Sequence, residues 1–129
     1  MFLDFETTGL SAQSDHLTEF GAMKVDTDGQ ESLFQSLTNP GIDIPAKITS
    51  ITGITTEMLE GAPGIGNILP AFLEFIKGAT LVAHNAAFDM AWLIEKAKLC
   101  DIELDLDRPV ICTLEWAKAL QEPRCSLGI

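Results

Sequence analysis

The sequence is short of positive charge, cysteine and long apolar runs, and each shortage argues against a class of protein. Among 129 residues, eight are Lys or Arg and nineteen are Asp or Glu, so the formal net charge is −11. Such a chain is poorly suited to coating a long phosphate backbone, because that affinity ordinarily comes from Lys and Arg. The cysteines, Cys100, Cys112 and Cys125, form no Cys-x-x-Cys pair, so we predict reduced thiols and no zinc site.

Membrane and secretion signals are missing as well. No apolar run approaches the roughly 18 residues that a membrane span needs, and no basic start leads into an apolar signal region. We therefore expect a cytoplasmic protein. A length of 129 residues with 47% apolar content suits one domain with a real core and disfavours disorder.

The opening stretch, from Phe2 to Leu10, places two acids among apolar residues. On a β-strand, alternate side chains share a face, so Asp4 and Glu6 should project side by side while Leu3 and Phe5 enter the core. Paired acids are costly unless a positive group neutralises them, and a divalent cation bound through carboxylates is the expected partner. The alternative is two solvated acids on a strand edge.

A third acid follows a second apolar strand. Residues 80–84 read as this strand, and a helix then runs through Lys98 with Asp89 in its first turn. Asp89 could join the first two acids there. An acid in a first helical turn also has a simpler explanation, since it interacts favourably with the helix dipole.

The remaining pattern predicts an α/β fold with a mixed sheet. Strands are expected at residues 1–5, 16–25, 30–38, 80–83 and 110–112, the first three as an antiparallel meander. Helices are expected at residues 45–50, from Thr55 or Thr56 to about Gly61, and at 68–76 and 113–120. The alternating acids of residues 101–107 are expected in a solvated loop rather than a calcium site.

Two motifs occur in this order: residues 4–10, Asp-Phe-Glu-Thr-Thr-Gly-Leu, and residues 84–89, His-Asn-Ala-Ala-Phe-Asp. They resemble the first and second motifs of the DEDD superfamily of 3′-to-5′ exonucleases, and most closely those of its proofreading, polymerase III epsilon-like branch. The segment Gly53-Ile54-Thr55 is similar to one that these domains carry between the two motifs. The resemblance implies a ribonuclease H-like, three-layer fold.

It also implies two-metal hydrolysis of a 3′-terminal phosphodiester with release of nucleoside monophosphates. Asp4, Glu6 and Asp89 would be the catalytic, metal-binding acids for two Mg²⁺ or Mn²⁺ ions, with Asp4 shared between them. The implied partners are a single-stranded nucleic-acid 3′ end and a polymerase subunit. Whether the substrate is DNA or RNA stays open, since that choice depends on contacts to the 2′ position.

The resemblance further implies that Thr7, Thr8, Gly9 and Leu10 contact the terminal nucleotide, and that His84, Asn85 and Phe88 lie near the substrate strand. Simpler roles compete at each place: turn hydrogen bonds for Thr7 and Thr8, a buried hydrogen-bonded side chain for His84, helix capping for Asn85, and core packing for Phe88.

The chain departs from the family pattern at the third motif, a His or Tyr followed by a fourth Asp, which has no match after residue 120. We therefore expect residues 1–129 to form a single exonuclease-like domain truncated at its C-terminus, either a fragment of a longer nuclease or a form with little activity. The alternative function is a non-catalytic module that binds a polymerase subunit or a nucleic-acid end.

Overall fold

The first half of the sheet is an antiparallel meander. In the computed structural model, which describes residues 1–105 and 107–120, β1 spans Phe2–Thr7, β2 spans Leu17–Val25 and β3 spans Glu31–Leu37. β2 pairs antiparallel with both β1 and β3. Gly29, at φ 83°, allows the turn between β2 and β3, because glycine accepts positive φ without steric cost. The predicted meander is confirmed.

Helices and parallel strands make up the second half. The elements after β3 are α1 (Ala46–Thr52), α2 (Thr56–Leu59), α3 (Ile65–Ile76), β4 (Leu81–Ala83), α4 (Ala86–Leu99), β5 (Val110–Cys112) and α5 (Thr113–Leu120). β4 pairs parallel with β1, and β5 pairs parallel with β4. The strand order β3-β2-β1-β4-β5 makes this a mixed sheet, as predicted. The carboxyl ends of β1 and β4 therefore meet at one edge.

The core lies between the sheet and the helices α3 and α4. Its centre is an aromatic cluster in which the rings of Phe5, Phe20 and Phe72 lie 5.1–5.5 Å apart between centroids. Phe20 and Phe72 are fully buried, and Phe5 is 6% exposed. Burying a side chain of this size contributes about 1.5–3 kcal/mol. This packing fixes one face of β1, so the alternate residues of β1 must lie on the face of the strand opposite to the aromatic cluster.

Packing also fixes the helix that carries Asp89. Trp92 and Leu93 are buried in the core, so the Trp92 ring serves packing. At the start of α4, the backbone N–H of Ala86 donates to the Cys112 sulfur at 3.3 Å, which ties this helix to the end of β5. Cys100 and Cys112 are free thiols, while Cys125 lies outside the described residues.

Helix ends differ from the predictions by a few residues. α3 begins at Ile65 rather than at residue 68, because Gly64 is extended and its carbonyl accepts the N–H groups of Asn67 and Ile68 at 3.1 and 3.3 Å. Pro45 lies just before α1 instead of inside it. Of Thr55 and Thr56, the two expected starts of this helix, Thr55 is the N-cap of α2, since its hydroxyl accepts the Met58 N–H at 3.2 Å. Residues 101–105 form the predicted loop.

Candidate active site

β1 presents its two acids as the alternation predicted. Leu3 and Phe5 are each 6% exposed, whereas Asp4 is exposed and Glu6 is half-buried. The pairing with β2 becomes irregular between Glu6 and Thr7, so β1 leaves the regular sheet immediately after its second acid. Asp4 and Glu6 thus share the face of β1 that points away from the aromatic cluster.

Asp89 reaches the same region from α4. It lies in the first turn of this helix and is only 4% exposed. The pKa of the Asp89 carboxyl is raised to about 7, first by burial and then by the charge of Asp4, against the lowering effect of a backbone hydrogen bond. The effect of the Asp4 charge on the Asp89 carboxyl indicates that the two side chains are near each other. The strand end and the helix start therefore bring these two acids together.

Glu6 experiences the same accumulation of negative charge. Burial raises the pKa of the Glu6 carboxyl above its ordinary value, and the charges of Asp4 and Glu19 raise it further. Asp4 thus acts electrostatically on both Glu6 and Asp89. Of the three predicted catalytic acids, Asp4 is the one whose charge raises the pKa of the other two.

Glu19 is a fourth acid that the sequence did not indicate. It is the direct cross-strand partner of Glu6 between β1 and β2, and its carboxylate accepts a hydrogen bond from the Gln35 amide at 3.3 Å. Directly opposed like charges destabilise a strand pair. Only the register of β1 against β2 could have revealed Glu19. The turn signal in the sequence between β2 and β3 does not fix that register.

No basic side chain neutralises these acids within residues 1–105 and 107–120. The ion pairs there join Lys98 to Glu95 and Lys118 to Glu115, both on helix surfaces. In the same residues, no group of three or more His, Cys, Asp or Glu side chains is already arranged to hold a metal ion. Mg²⁺ usually takes one or two carboxylates and completes its shell with water and substrate phosphate. The unneutralised, oxygen-only donor set fits a cation of this kind.

The turn after β1 is held by its own hydrogen bonds. Thr7 donates its hydroxyl to the Gly9 carbonyl at 2.7 Å. The Thr8 hydroxyl accepts the His16 N–H at 2.9 Å, and the Thr8 N–H donates to the His16 carbonyl at 2.8 Å. These bonds support the simpler role for Thr7 and Thr8. Leu10, by contrast, is 87% exposed at the tip of the turn.

The second motif lies at the start of α4. His84 is exposed, so the alternative of a buried histidine is wrong, although its Nδ1 does lie 3.0 Å from the Thr113 hydroxyl. Its position directly after β4 gives the ring access to solvent. Asn85 occupies the cap position in the left-handed conformation (φ 61°, ψ 59°), but its side chain makes no capping bond. This geometry points the amide elsewhere, so side-chain capping is not the role of Asn85.

Phe88 packs against the core, which is the simpler of its two predicted roles. Its ring lies 6.0 Å from Trp92 between centroids, so it packs against the core. It nevertheless keeps a partly exposed surface.

Within the described part of the chain, no helix is both long and apolar enough to cross a membrane.

Comparison with known proteins relates this arrangement to exonucleases. The family model RNase_T, described as exonuclease, matches residues 1–128. DNA polymerase III of the PolC type is 44% identical over 119 residues in Caldanaerobacter subterraneus, which covers 92% of this chain and 8% of that protein. The PolC-type enzyme of Thermotoga maritima is 43% identical over 125 residues, which covers 95% of this chain and 9% of that protein. The chain thus spans less than a tenth of either relative.

Solved structures agree on the fold. Escherichia coli exonuclease I in complex with a dT13 oligonucleotide superimposes with a TM-score of 0.80 at 16% identity, covering 92% of this chain and 28% of that one. A product-bound exonuclease I superimposes with a TM-score of 0.76 at 17% identity, covering 92% of this chain and 30% of that one. The fold is therefore ribonuclease H-like, as the motifs implied. With a family model matching nearly its whole length, the chain belongs to the RNase T exonuclease family of the DEDD superfamily.

Proposed function

We propose that this chain is a 3′-to-5′ exonuclease domain that hydrolyses the terminal phosphodiester of single-stranded DNA or RNA and releases nucleoside monophosphates. The observation that supports it best is the position of Asp4, whose charge acts on both Glu6 and Asp89 while no basic side chain of the described residues pairs with them. A scaffold has no use for such a cluster, because unneutralised acids at a partly buried place are costly.

Asp4, Glu6 and Asp89 would hold the two divalent cations, Mg²⁺ or Mn²⁺. Two such ions supply an activated water and stabilisation of the leaving 3′ oxygen. The three carboxylates carry about three negative charges and a bound phosphodiester adds about one, so two divalent ions would balance the site. In the metal-free protein the pKa of Asp89 is about 7, so a cation would bind there in competition with a proton.

The turn after β1 would receive the terminal nucleotide. Leu10 is exposed to solvent in the turn that follows Asp4 and Glu6 in the chain, and an apolar side chain there would wedge against a base. Thr7, Thr8 and Gly9 would position the backbone around that nucleotide. His84 and Asn85 are exposed at the start of α4, and with the exposed part of Phe88 they would line the path of the strand. Stacking on an aromatic ring is tolerant of base identity.

The acidic composition is compatible with this proposal if the domain binds only a strand end. A net charge of −11 disfavours wrapping of a duplex, whereas bound cations supply positive charge where the scissile phosphate lies. The PolC-type relatives suggest a polymerase subunit as partner and the cytoplasm as location. Residues 1–129 would act as a single domain.

Activity of the isolated chain should be modest. Its histidines, His16 and His84, do not match the third motif, and a missing general base typically lowers rates by about 10²- to 10⁴-fold. We therefore propose an assay with enzyme in excess over substrate. A 5′-labelled, single-stranded oligonucleotide is incubated with Mg²⁺ or Mn²⁺, and products are resolved at single-nucleotide resolution.

The expected result is stepwise shortening from the 3′ end that is lost in Asp4→Ala and retained in Glu74→Ala, a control acid exposed on α3. Shortening that survives Asp4→Ala would contradict the proposal. Binding of the oligonucleotide without shortening would contradict it as well, and would favour the non-catalytic module.

A further inference from the structure

α4 carries both charged residues that are buried in the described part of the chain, Asp89 and Lys96. Lysine is almost never buried unless its amine finds a partner. Lys96 is 4% exposed, and its amine donates to the backbone carbonyl of Asp15 at 2.6 Å, across 81 positions of sequence. The amine also lies 5.2 Å from the centre of the Trp92 ring, a cation–π distance.

This burial is unfavourable for the amine itself. Burial lowers the pKa of Lys96 below its ordinary value, while the neighbouring charges of Asp15 and Glu95 act in the opposite direction. A methionine of similar length would fill the same space without a charge to desolvate. The amine therefore calls for a role that an apolar side chain cannot perform, and its hydrogen bond to residue 15 is the candidate.

Asp15 closes the loop formed by residues 9–15. Its side chain accepts the Ser11 N–H at 2.9 Å, and its own N–H donates to the Ser11 carbonyl at 2.8 Å. The same carboxylate lies against Gly9, where a Cβ atom would overlap it. Asp15 thus determines the path of the backbone on either side of Leu10.

A single helix connects this loop to the acid cluster. Lys96 follows Asp89 by seven residues, which is about two helical turns or about 10 Å along the axis. The core holds α4 rigidly between them, since Trp92 and Leu93 are buried. A bond from Lys96 to Asp15 therefore fixes the loop relative to Asp89.

We propose that Lys96 is a positioning residue that holds the loop of residues 9–15 against α4 and so sets the position of Leu10 relative to the catalytic acids. The inference rests on the proposed exonuclease function, in which Leu10 contacts the terminal nucleotide. Lys96 itself touches neither the nucleotide nor the reacting atoms.

The test replaces Lys96 with methionine, which keeps the apolar stem and removes the amine. The matched control is Lys98→Met on the same helix, because Lys98 is exposed and pairs with Glu95 at 3.4 Å on the helix surface. Steady-state rates of 3′-nucleotide release are measured against oligonucleotide concentration. We expect Lys96→Met to raise KM by about tenfold, the size of one lost charge-assisted hydrogen bond, with kcat within about threefold, while Lys98→Met matches the wild type.

A double-mutant cycle separates positioning from a general loss of stability. If Lys96 acts through Leu10, the effect of Leu10→Ala on KM should largely vanish in the Lys96→Met background. Additive effects, an unchanged KM, or a loss confined to kcat would each overturn the inference. If Lys96→Met does not fold, Asp15→Ala provides a second test, because it removes the carboxylate that accepts the Ser11 N–H in the same loop. This variant should show the same raised KM and the same non-additivity with Leu10→Ala.

Hydrogen exchange gives a readout that does not depend on nuclease activity. The backbone amides of residues 9–16 should exchange faster in Lys96→Met than in the wild type and in Lys98→Met. Unchanged exchange would show that Lys96 does not hold the loop, whether or not the chain cleaves nucleic acid. A wild type without activity but with faster loop exchange in Lys96→Met would count against the proposed function and leave the contact established.

Discussion

Replacing Asp89 with asparagine should stabilise the metal-free protein, and the gain should depend on pH. The native pKa of Asp89 is about 7 instead of the ordinary 3.8, because its charged form is desolvated and lies near Asp4. Between these two values the unfolded chain has released a proton that the native chain still holds, so native stability falls as pH rises through this window. The amide of asparagine has nearly the same shape and does not titrate.

The size of the effect follows from the same two values. Their difference corresponds to at most about 4 kcal/mol of native stability lost above pH 7, of which about 3 kcal/mol falls between pH 5 and pH 8. The stability advantage of Asp89→Asn over the wild type should therefore be larger at pH 8 than at pH 5 by about 3 kcal/mol.

Urea unfolding in the presence of EDTA at pH 5 and pH 8 measures this difference directly. Glu74→Gln is the matched control, since this acid is exposed on α3 and its substitution should leave the pH dependence unchanged. A stability difference between Asp89→Asn and the wild type that is the same at both pH values would refute the reasoning, because it would mean that Asp89 titrates normally in the native state.

Three further predictions concern the turn, the core and the second motif. Gly9→Ala should raise KM for the oligonucleotide because its Cβ would overlap the Asp15 carboxylate; wild-type kinetics in the Gly9→Ala variant would contradict this. Trp92→Ala should lower the free energy of unfolding by about 3–5 kcal/mol, the cost of emptying a fully buried aromatic site, and a loss under about 1 kcal/mol in urea unfolding would contradict that packing role. His84→Ala should weaken oligonucleotide binding, measured by fluorescence anisotropy. Thr113→Ala removes the same 3.0 Å hydrogen bond and should leave binding unchanged. Equal losses of affinity in the two variants would assign His84 a structural role.

Features that repeat along the sequence could be predicted from it. The period-2 alternation of β1 fixed which face Asp4 and Glu6 occupy, since Leu3 and Phe5 can only turn into the core. The strand-then-helix pattern around residue 85 located Asp89 in a first helical turn for the same kind of reason. Both predictions used local geometry alone.

Features that depend on register or on distant contacts could not be predicted. Glu19 joins the acid cluster only because residues 6 and 19 are paired across β1 and β2, and no turn signal fixes that pairing. Lys96 reads as an ordinary helical lysine until its bond to Asp15 is seen. The exposure of His84 likewise depends on how β4, β5 and α5 end together, which composition does not specify.

The measurement that tests the account most directly is equilibrium binding of Mn²⁺, followed by the electron paramagnetic resonance signal of the free ion at pH 8. The wild type and Glu74→Ala should show the same saturable binding, and Asp4→Ala should lose it, because Asp4 is the acid that acts on both Glu6 and Asp89. Saturable binding that is unchanged in Asp4→Ala, or its absence from the wild type, would contradict the claim that these carboxylates form a metal-dependent active site.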